Sequence, residues 1–501
     1  MKNNSFYLYF ILSVVFILVP LTFFKSNDFW DGVSVSFAFE TKKYNSLDEY
    51  MLQGGYYFQY LLYKIIFLIS ETFNFSYKYL INLIYTITII FLAIECKIIS
   101  KNVFKLNNYY SKLSGIILII FPIWHILVSS IFISHVICVL FVFLGTRFLS
   151  NRSISKQVLG ILILFLSYEL KSNFLFSIIL VFCYDFINFL NTKSKNFRKT
   201  IFIFILNIFI FQLIKTFFPP SGLWEGHNQI INILDTFNFK HLIWNSIQFS
   251  SFYAPVIFIN LIFFLYNREK ILKLNTNEIT KNEDFKLMSV LIVLSLSSIV
   301  PYILVLKSSR LIFDSQFSPR NALLLACTIS LLITFNLNLI NKNKFKKHFL
   351  DVISPIIICI FLFSSVFLFF EKYNYLKFRD HLISELKLKD IKAGIVVLNG
   401  DGIPDPIIIT KESNFIFWKS FNESKWATHI LADKNIPRPT TERFSDNKGN
   451  IIYLAENFKM KCITYGNIFT DDYKGFANIL KNMFINKTKS LYLKLYSEDC
   501  V

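Results

Sequence analysis

The chain has 501 residues, of which 54% are hydrophobic and 17% charged, with a mean hydropathy of +0.49. Soluble domains carry about 25% charged residues, so this composition excludes an ordinary soluble protein and indicates a polytopic membrane protein. The net charge of +19 does not indicate nucleic-acid binding, because Lys and Arg fall in short clusters between apolar runs and not on one basic stripe.

In chain order, the runs apolar enough to cross a bilayer are Ser5–Phe24, Lys78–Cys96, Leu113–Ser129, Phe132–Leu149, Val158–Leu170, Phe174–Leu190, Thr200–Phe218, Ser251–Tyr266, Leu287–Leu306, Ala322–Ile340 and Leu350–Phe370. The first is longer than a signal-peptide core, and no Ala-x-Ala-like site follows it, so it reads as a retained span. A further run, Tyr56–Phe73, controls the topology. If it crosses, the clusters Lys97/Lys101/Lys105/Lys112, Arg152/Lys156 and Lys193/Lys195/Arg198/Lys199 all fall outside. That inverts the positive-inside rule at three successive loops. If it lies along the outer interface, these clusters face the cytoplasm, together with Arg268/Lys270/Lys273/Lys281/Lys286 and Lys342/Lys344/Lys346/Lys347. The run is rich in Tyr and Phe and carries Gln59, Lys64 and Glu71, as a headgroup-level helix does.

The expected fold is therefore a polytopic α-helical membrane protein of about eleven spans plus one interfacial helix. The N-terminus is expected in the cytoplasm. Residues 1–371 form the membrane domain, with 25–77 as its first outer loop. Residues 372–501 return to polar composition and are expected to form an extracytoplasmic α/β domain of ordinary size, about 130 residues. Strands are expected at Ala393–Leu398, Ile407–Thr410, Asn414–Trp418, Ile451–Leu454 and Ser490–Leu493, and a helix near Gly475–Ile485. Asn399–Asp405 resembles a fragment of a calcium loop, but the position two before the Asn is Val397, not an acid, so it reads as a tight turn. Cys462 and Cys500, both in the tail, are either a disulfide of an oxidising compartment or two solvated thiols. Composition rich in Ile, Lys, Asn and Phe suggests an AT-rich genome and a bacterial inner membrane; an endoplasmic-reticulum membrane would put the same face in the lumen.

The residues able to do chemistry cluster on the outer face. Lys25-Ser26-Asn27-Asp28-Phe29-Trp30-Asp31-Gly32 follows the first span directly. Asp28 and Asp31 either cap that span or serve as catalytic acids, and Trp30 suits a headgroup anchor or a sugar-stacking platform. Lys171 lies in the short outer turn Ser167–Asn173. Three roles are open to it: gripping a phosphate as a point charge, pairing with Glu169, or snorkelling. Lys307, Arg310 and Arg320 place three cations on a later outer segment, suited to a phosphate or a lipid headgroup. Glu225 and His227, beside Trp224, lie in a long outer loop and are candidate acceptor contacts; one His and one Glu are too few for a recognised metal site. His135 and His125 flank the third and fourth spans, and an intramembrane His is a functional candidate. No metal ligand set is assigned. A divalent metal is compatible with the sequence but not required by it.

These elements, in this order, resemble the GT-C membrane glycosyltransferases that use polyprenyl-phosphate-linked sugars. The resemblance covers about residues 1–370 as an architecture, and its motifs are loose. It implies that Asp31 or Asp28 is the catalytic base and that Lys171, Arg310 and Arg320 hold the lipid phosphate. Two departures stand out. The adjacent acidic pair of the protein mannosyltransferases is split here as Asp28-Phe29-Trp30-Asp31, and the second acidic site near the fourth span is replaced by Ser134-His135. The implied partners are membrane lipid, a polyprenyl-phosphate sugar donor and a glycan, lipid or protein acceptor. Such a donor has an anionic leaving group that cations must hold, and the acceptor hydroxyl needs a base within hydrogen-bond reach. Two other activities compete: an O-antigen or capsule repeat-unit polymerase, and a transporter or flippase. Against the second, no internal repeat is visible and ionisable residues inside the runs are few.

Overall fold

A computed structural model describes residues 2–23, 32–42, 44–151, 153–192, 197–221, 239–271, 283–304, 322–342 and 347–387. In the tail it describes strand segments 395–399, 429–431, 443–445, 451–453, 463–469 and 492–498. The described chain is almost entirely helical. By length and composition, five helices among the described residues can cross a membrane: Tyr77–Asn102, Ser130–Leu149, Asp284–Ile303, Leu323–Asn341 and Asp351–Glu385. Each coincides with an expected run. Tyr7–Thr22, Ile154–Ser167 and Ile201–Phe217 are shorter apolar helices.

The first helix begins as α1 (Lys2–Ser13), opens into a π turn over Val14–Leu18 and closes as α2 (Val19–Phe23). Next come α3 (Gly32–Thr41), α4 (Tyr44–Gln53) and α5 (Tyr57–Thr72). α5 occupies the run expected to lie at the interface. It buries Tyr57, Gln59, Tyr63, Ile66, Phe67 and Ser70 and exposes Leu61, Ile65 and Leu68, so the protein covers one of its faces. Lys64 pairs with Asp48 of α4 at 2.7 Å.

After α6 (Tyr77–Asn102) the structure departs from the expected continuous span Leu113–Ser129. α7 (Asn108–Ile119) starts on Asn107, whose side chain caps the Tyr110 amide, and stops after twelve residues. The cause is Pro122, which cannot donate to the helix ladder and disfavours helical backbone at Phe121. The end carbonyls find other donors: the Trp124 indole N–H reaches the Leu118 carbonyl at 2.8 Å, and the Ser365 hydroxyl reaches that of Ile120 at 2.6 Å. A short 3₁₀ stretch, Trp124–Val128, contains His125, which is buried. Irregular backbone is tolerated where protein surrounds it and its polar groups are bonded, and Phe121, Ile123 and Trp124 are all essentially inaccessible.

α8 (Ile133–Leu149) then packs against α9 (Ile154–Ser167) through a glycine contact. A Cβ on Gly160 would lie 2.8 Å from the Gly145 carbonyl oxygen and 2.8 Å from the Leu149 amide nitrogen. Small residues let two backbones approach in this way. Gly160→Ala should therefore lower the thermal midpoint in detergent, with a cost of ~1–3 kcal/mol from overpacking. Leu162→Ala, on the exposed face of the same helix, should change it little. Equal midpoints for Gly160→Ala and wild type would contradict this packing.

The remaining helices are α10 (Lys171–Thr192), α11 (Phe197–Phe217), α12 (Phe239–Ser250), α13 (Ala254–Ile271), α14 (Glu283–Leu304), α15 (Leu323–Lys342) and α16 (Lys347–Lys387). α16 runs on past Lys372, where composition alone had placed the start of the tail. Two compact units are distinguished. One comprises Met1–Lys25, Asp48–Leu127 and Ile131–Val366; the other comprises Ser26–Leu47, Val128–Ser130 and Phe367–Val501.

In the second unit, β1 (Ile395–Asn399) is flanked in parallel by β2 (His429–Leu431) and β5 (Ile463–Phe469), and β5 pairs antiparallel with β6 (Tyr492–Glu498). β3 (Arg443–Ser445) and β4 (Ile451–Tyr453) form a separate antiparallel ribbon. Expected strands over 407–410 and 414–418, the helix near 475–485, the 400–405 turn, Cys462 and Cys500 lie outside the described residues.

Candidate functional site

Two of the expected site residues, Lys171 and His135, fall within the described chain. Asp28, Trp30, Asp31, Glu225, His227, Lys307, Arg310 and Arg320 lie outside it.

The turn between α9 and α10 is buried and tightly bonded. The Tyr168 and Leu170 amides donate to the Leu164 and Ser167 carbonyls at 3.1 and 3.3 Å. Asn173 fastens the turn to α8, its side-chain amide donating to the Ser167 carbonyl at 3.1 Å and to that of Cys138 at 3.2 Å. The Tyr168 hydroxyl donates to the Asn207 side chain of α11.

Glu169 is the centre of this turn. Its carboxylate does not pair with Lys171. It points inward and accepts the Gln59 backbone amide at 2.8 Å, so it caps the first turn of α5 from across the fold. Gln59 uses its side chain to donate to the Ile131 carbonyl at 2.9 Å, just before α8. Tyr57 donates its hydroxyl to the Phe165 carbonyl and stacks on Phe218 with ring centroids 4.4 Å apart. The approach requires Gly55: its φ is +73°, and a Cβ there would lie 2.9 Å from the Phe218 carbonyl oxygen. Four chain segments thus meet at one end of the bundle: the start of α5, the start of α8, the α9–α10 turn and the end of α11.

Burial pushes the Glu169 carboxyl up to about 7, held back by the amides of Gln59 and Phe58 and by the Ser134 hydroxyl. The second carboxyl oxygen, Oε1, is buried and has no hydrogen-bond partner, as is the side-chain oxygen of Asn173. His135 follows Ser134 in the first turn of α8, half-buried, with its ring edge-on to Phe132 at 5.5 Å.

Lys171 opens α10 and is exposed. Desolvation by its surroundings, and then the charge of Lys215, hold its ammonium below the usual lysine range. Lys215, near the end of α11, lies over the Phe211 ring at 5.1 Å. Beside Lys171, the Ser172 hydroxyl is 3.0 Å from that of Tyr302 on α14.

The structure therefore brings Lys171 and His135 to the same end of the fold and adds two residues that the sequence reading did not single out for a role of their own. Glu169 was treated only as a possible mate of Lys171, and Lys215 as part of an apolar run. Gln59 was the legible signal, a polar residue inside an aromatic run that requires a partner when buried. Among the described residues, no group of three or more His, Cys, Asp or Glu is placed to hold a metal. Comparison with known family models, curated proteins and solved structures finds no match to this chain.

Proposed function

We propose that this protein is a GT-C-like membrane glycosyltransferase that moves a sugar from a polyprenyl-phosphate-linked donor to a cell-surface glycan, lipid or protein acceptor. The observation that carries this reading is the state of Lys171. It is a cation at the surface where α10 begins, beside a buried helix turn, its ammonium is held below the usual lysine range, it has no acidic partner among the described residues, and a second lysine lies nearby. A group held in this way is suited to an anionic leaving group. In this reading about eleven spans place that end of the bundle outside a bacterial inner membrane, with α5 at the interface and the tail as an extracytoplasmic α/β domain. Asp31 or Asp28 takes the acceptor proton. Lys171, Arg310 and Arg320, with Lys307, hold the phosphate, while Trp30, His135, Glu225 and His227 contact substrate.

The test is glycan analysis of cells carrying Asp28→Asn or Asp31→Asn, with protein level and membrane insertion checked. Loss of one sugar addition or one polymer, with the protein still inserted, is the expected result. Unchanged glycans in both variants would rule the transfer reading out.

One observation favours a second reading, as a transporter. Discontinuous helices are a mark of transporters, and the chain breaks α7 at Ile119 and carries buried irregular backbone beyond it. Unchanged glycans would make this reading the leading one.

A further inference from the structure

We infer that Lys171 and Lys215 together form a binding site for one phosphate group carried on a membrane lipid. α10 and α11 are consecutive helices joined by a short connection, and the rings of Phe174 and Phe211 stack at 4.1 Å with planes 6° apart. That stack fixes the register of the pair. Lys171 is three residues before Phe174 and Lys215 four residues after Phe211. In antiparallel helices both steps run toward the same end, by about 4.5 and 6 Å of axial rise. Spacings of three and four keep each lysine on the face of its own phenylalanine, so both lysines are rooted one turn beyond the stack on one side of the helix pair; the Lys215 ammonium reaches back over the Phe211 ring at 5.1 Å, near enough for its charge to act on Lys171.

Two like charges so placed repel, and nearby acids do not compensate them. Glu169, two residues before Lys171, is turned to the Gln59 amide. Neither lysine has an acidic partner among the described residues. A phosphate oxyanion between them would remove the repulsion and gain two charge-assisted hydrogen bonds. The Ser172 and Tyr302 hydroxyls, bonded to each other at 3.0 Å, add polar groups beside Lys171. The depressed lysine of the previous section fits a cation that lacks its counter-ion. The site extends the phosphate role given to Lys171 above and rests on that reading for the identity of the lipid, but not for the binding itself.

The experiment measures binding without turnover. Full-length wild type, Lys171→Gln, Lys215→Gln and the double variant are placed in nanodiscs of phosphatidylcholine alone or with phosphatidylglycerol, and thermal midpoints are recorded with and without inorganic pyrophosphate. Gln keeps the stem and removes the charge. Phosphatidylglycerol is expected to raise the wild-type midpoint, each single variant to weaken the apparent affinity about tenfold, and the double variant to abolish the effect. Stabilisation by pyrophosphate alone, with none from the lipid, would overturn the lipid assignment. Wild-type behaviour of Lys215→Gln would overturn the pair. Should the lysine variants lose binding while Asp28→Asn and Asp31→Asn leave every glycan intact, the phosphate site stands and the transfer reading fails.

Discussion

Wild-type protein should become less stable as the pH rises from about 4.5 to about 7, and Glu169→Gln should remove that dependence. The folded carboxyl sits at about 7, against an ordinary value of 4.5, and burial is the main cause. When the turn opens, the carboxyl returns to the ordinary range. The closed state therefore binds the proton more tightly than the open one. The associated stabilisation is fully present below 4.5, declines through the interval between the two values and is absent above 7. Its size follows from the displacement, about 3 kcal/mol at most. Thermal midpoints in detergent across pH 5–8 would show the slope. Amide exchange in the first turn of α5, corrected for the intrinsic pH effect, would locate it. Gln retains an oxygen to accept the Gln59 amide, so α5 should stay docked at every pH. Glu169→Leu removes the acceptor and should speed exchange at Phe58 and Gln59 by roughly tenfold or more, the usual effect of losing a helix cap. A wild-type profile as flat as that of Glu169→Gln would mean that the carboxyl has an ordinary acidity, and the description of the turn would be wrong.

The elements best read from sequence are those defined by length and apolarity alone. Tyr77–Asn102, Ser130–Leu149 and Leu323–Asn341 were expected because a run of that kind has few other stable forms in a bilayer. α5 was also expected, and its buried Gln59 and Tyr57 explain why an aromatic run carries polar groups. α7 was misread although its signal was present: Phe121-Pro122 sits inside the run, and hydropathy outweighed it. The π turn over Val14–Leu18 has no comparable marker. The site was harder to read. Glu169 and Lys171 are two residues apart in sequence and look like partners, but positions two apart at a helix start do not face each other. Tertiary contact sends one inward to α5 and leaves the other at the surface. The stack of Phe174 on Phe211 was invisible for a plainer reason: the chain has 59 phenylalanines, and composition does not say which two meet.

The largest loss of stability is expected at the far end of α8, from Arg147→Leu. Arg147 reaches Glu95 of α6 with two hydrogen bonds, at 2.5 and 3.0 Å. The pair is unequal: the Glu95 side chain is 3% exposed, the Arg147 side chain 35%. The consequences of breaking it are therefore unequal too. Without Arg147, a buried carboxylate loses its counter-ion, which in such sites costs ~3–5 kcal/mol. Without the Glu95 charge, as in Glu95→Gln, the guanidinium still reaches solvent and the Gln oxygen can still accept one hydrogen bond, so the loss should be about 1 kcal/mol. Replacing both, as Glu95→Leu with Arg147→Leu, removes the buried charge together with its partner and should recover most of the stability lost in the single Arg147 variant. Thermal midpoints of the four proteins in one detergent decide the matter. A double variant as unstable as Arg147→Leu alone would show that the arginine acts by packing against α6 and Phe148, not by neutralising Glu95. Recovery in the double variant would identify the pair as a tie between α6 and α8 that needs both charges or neither.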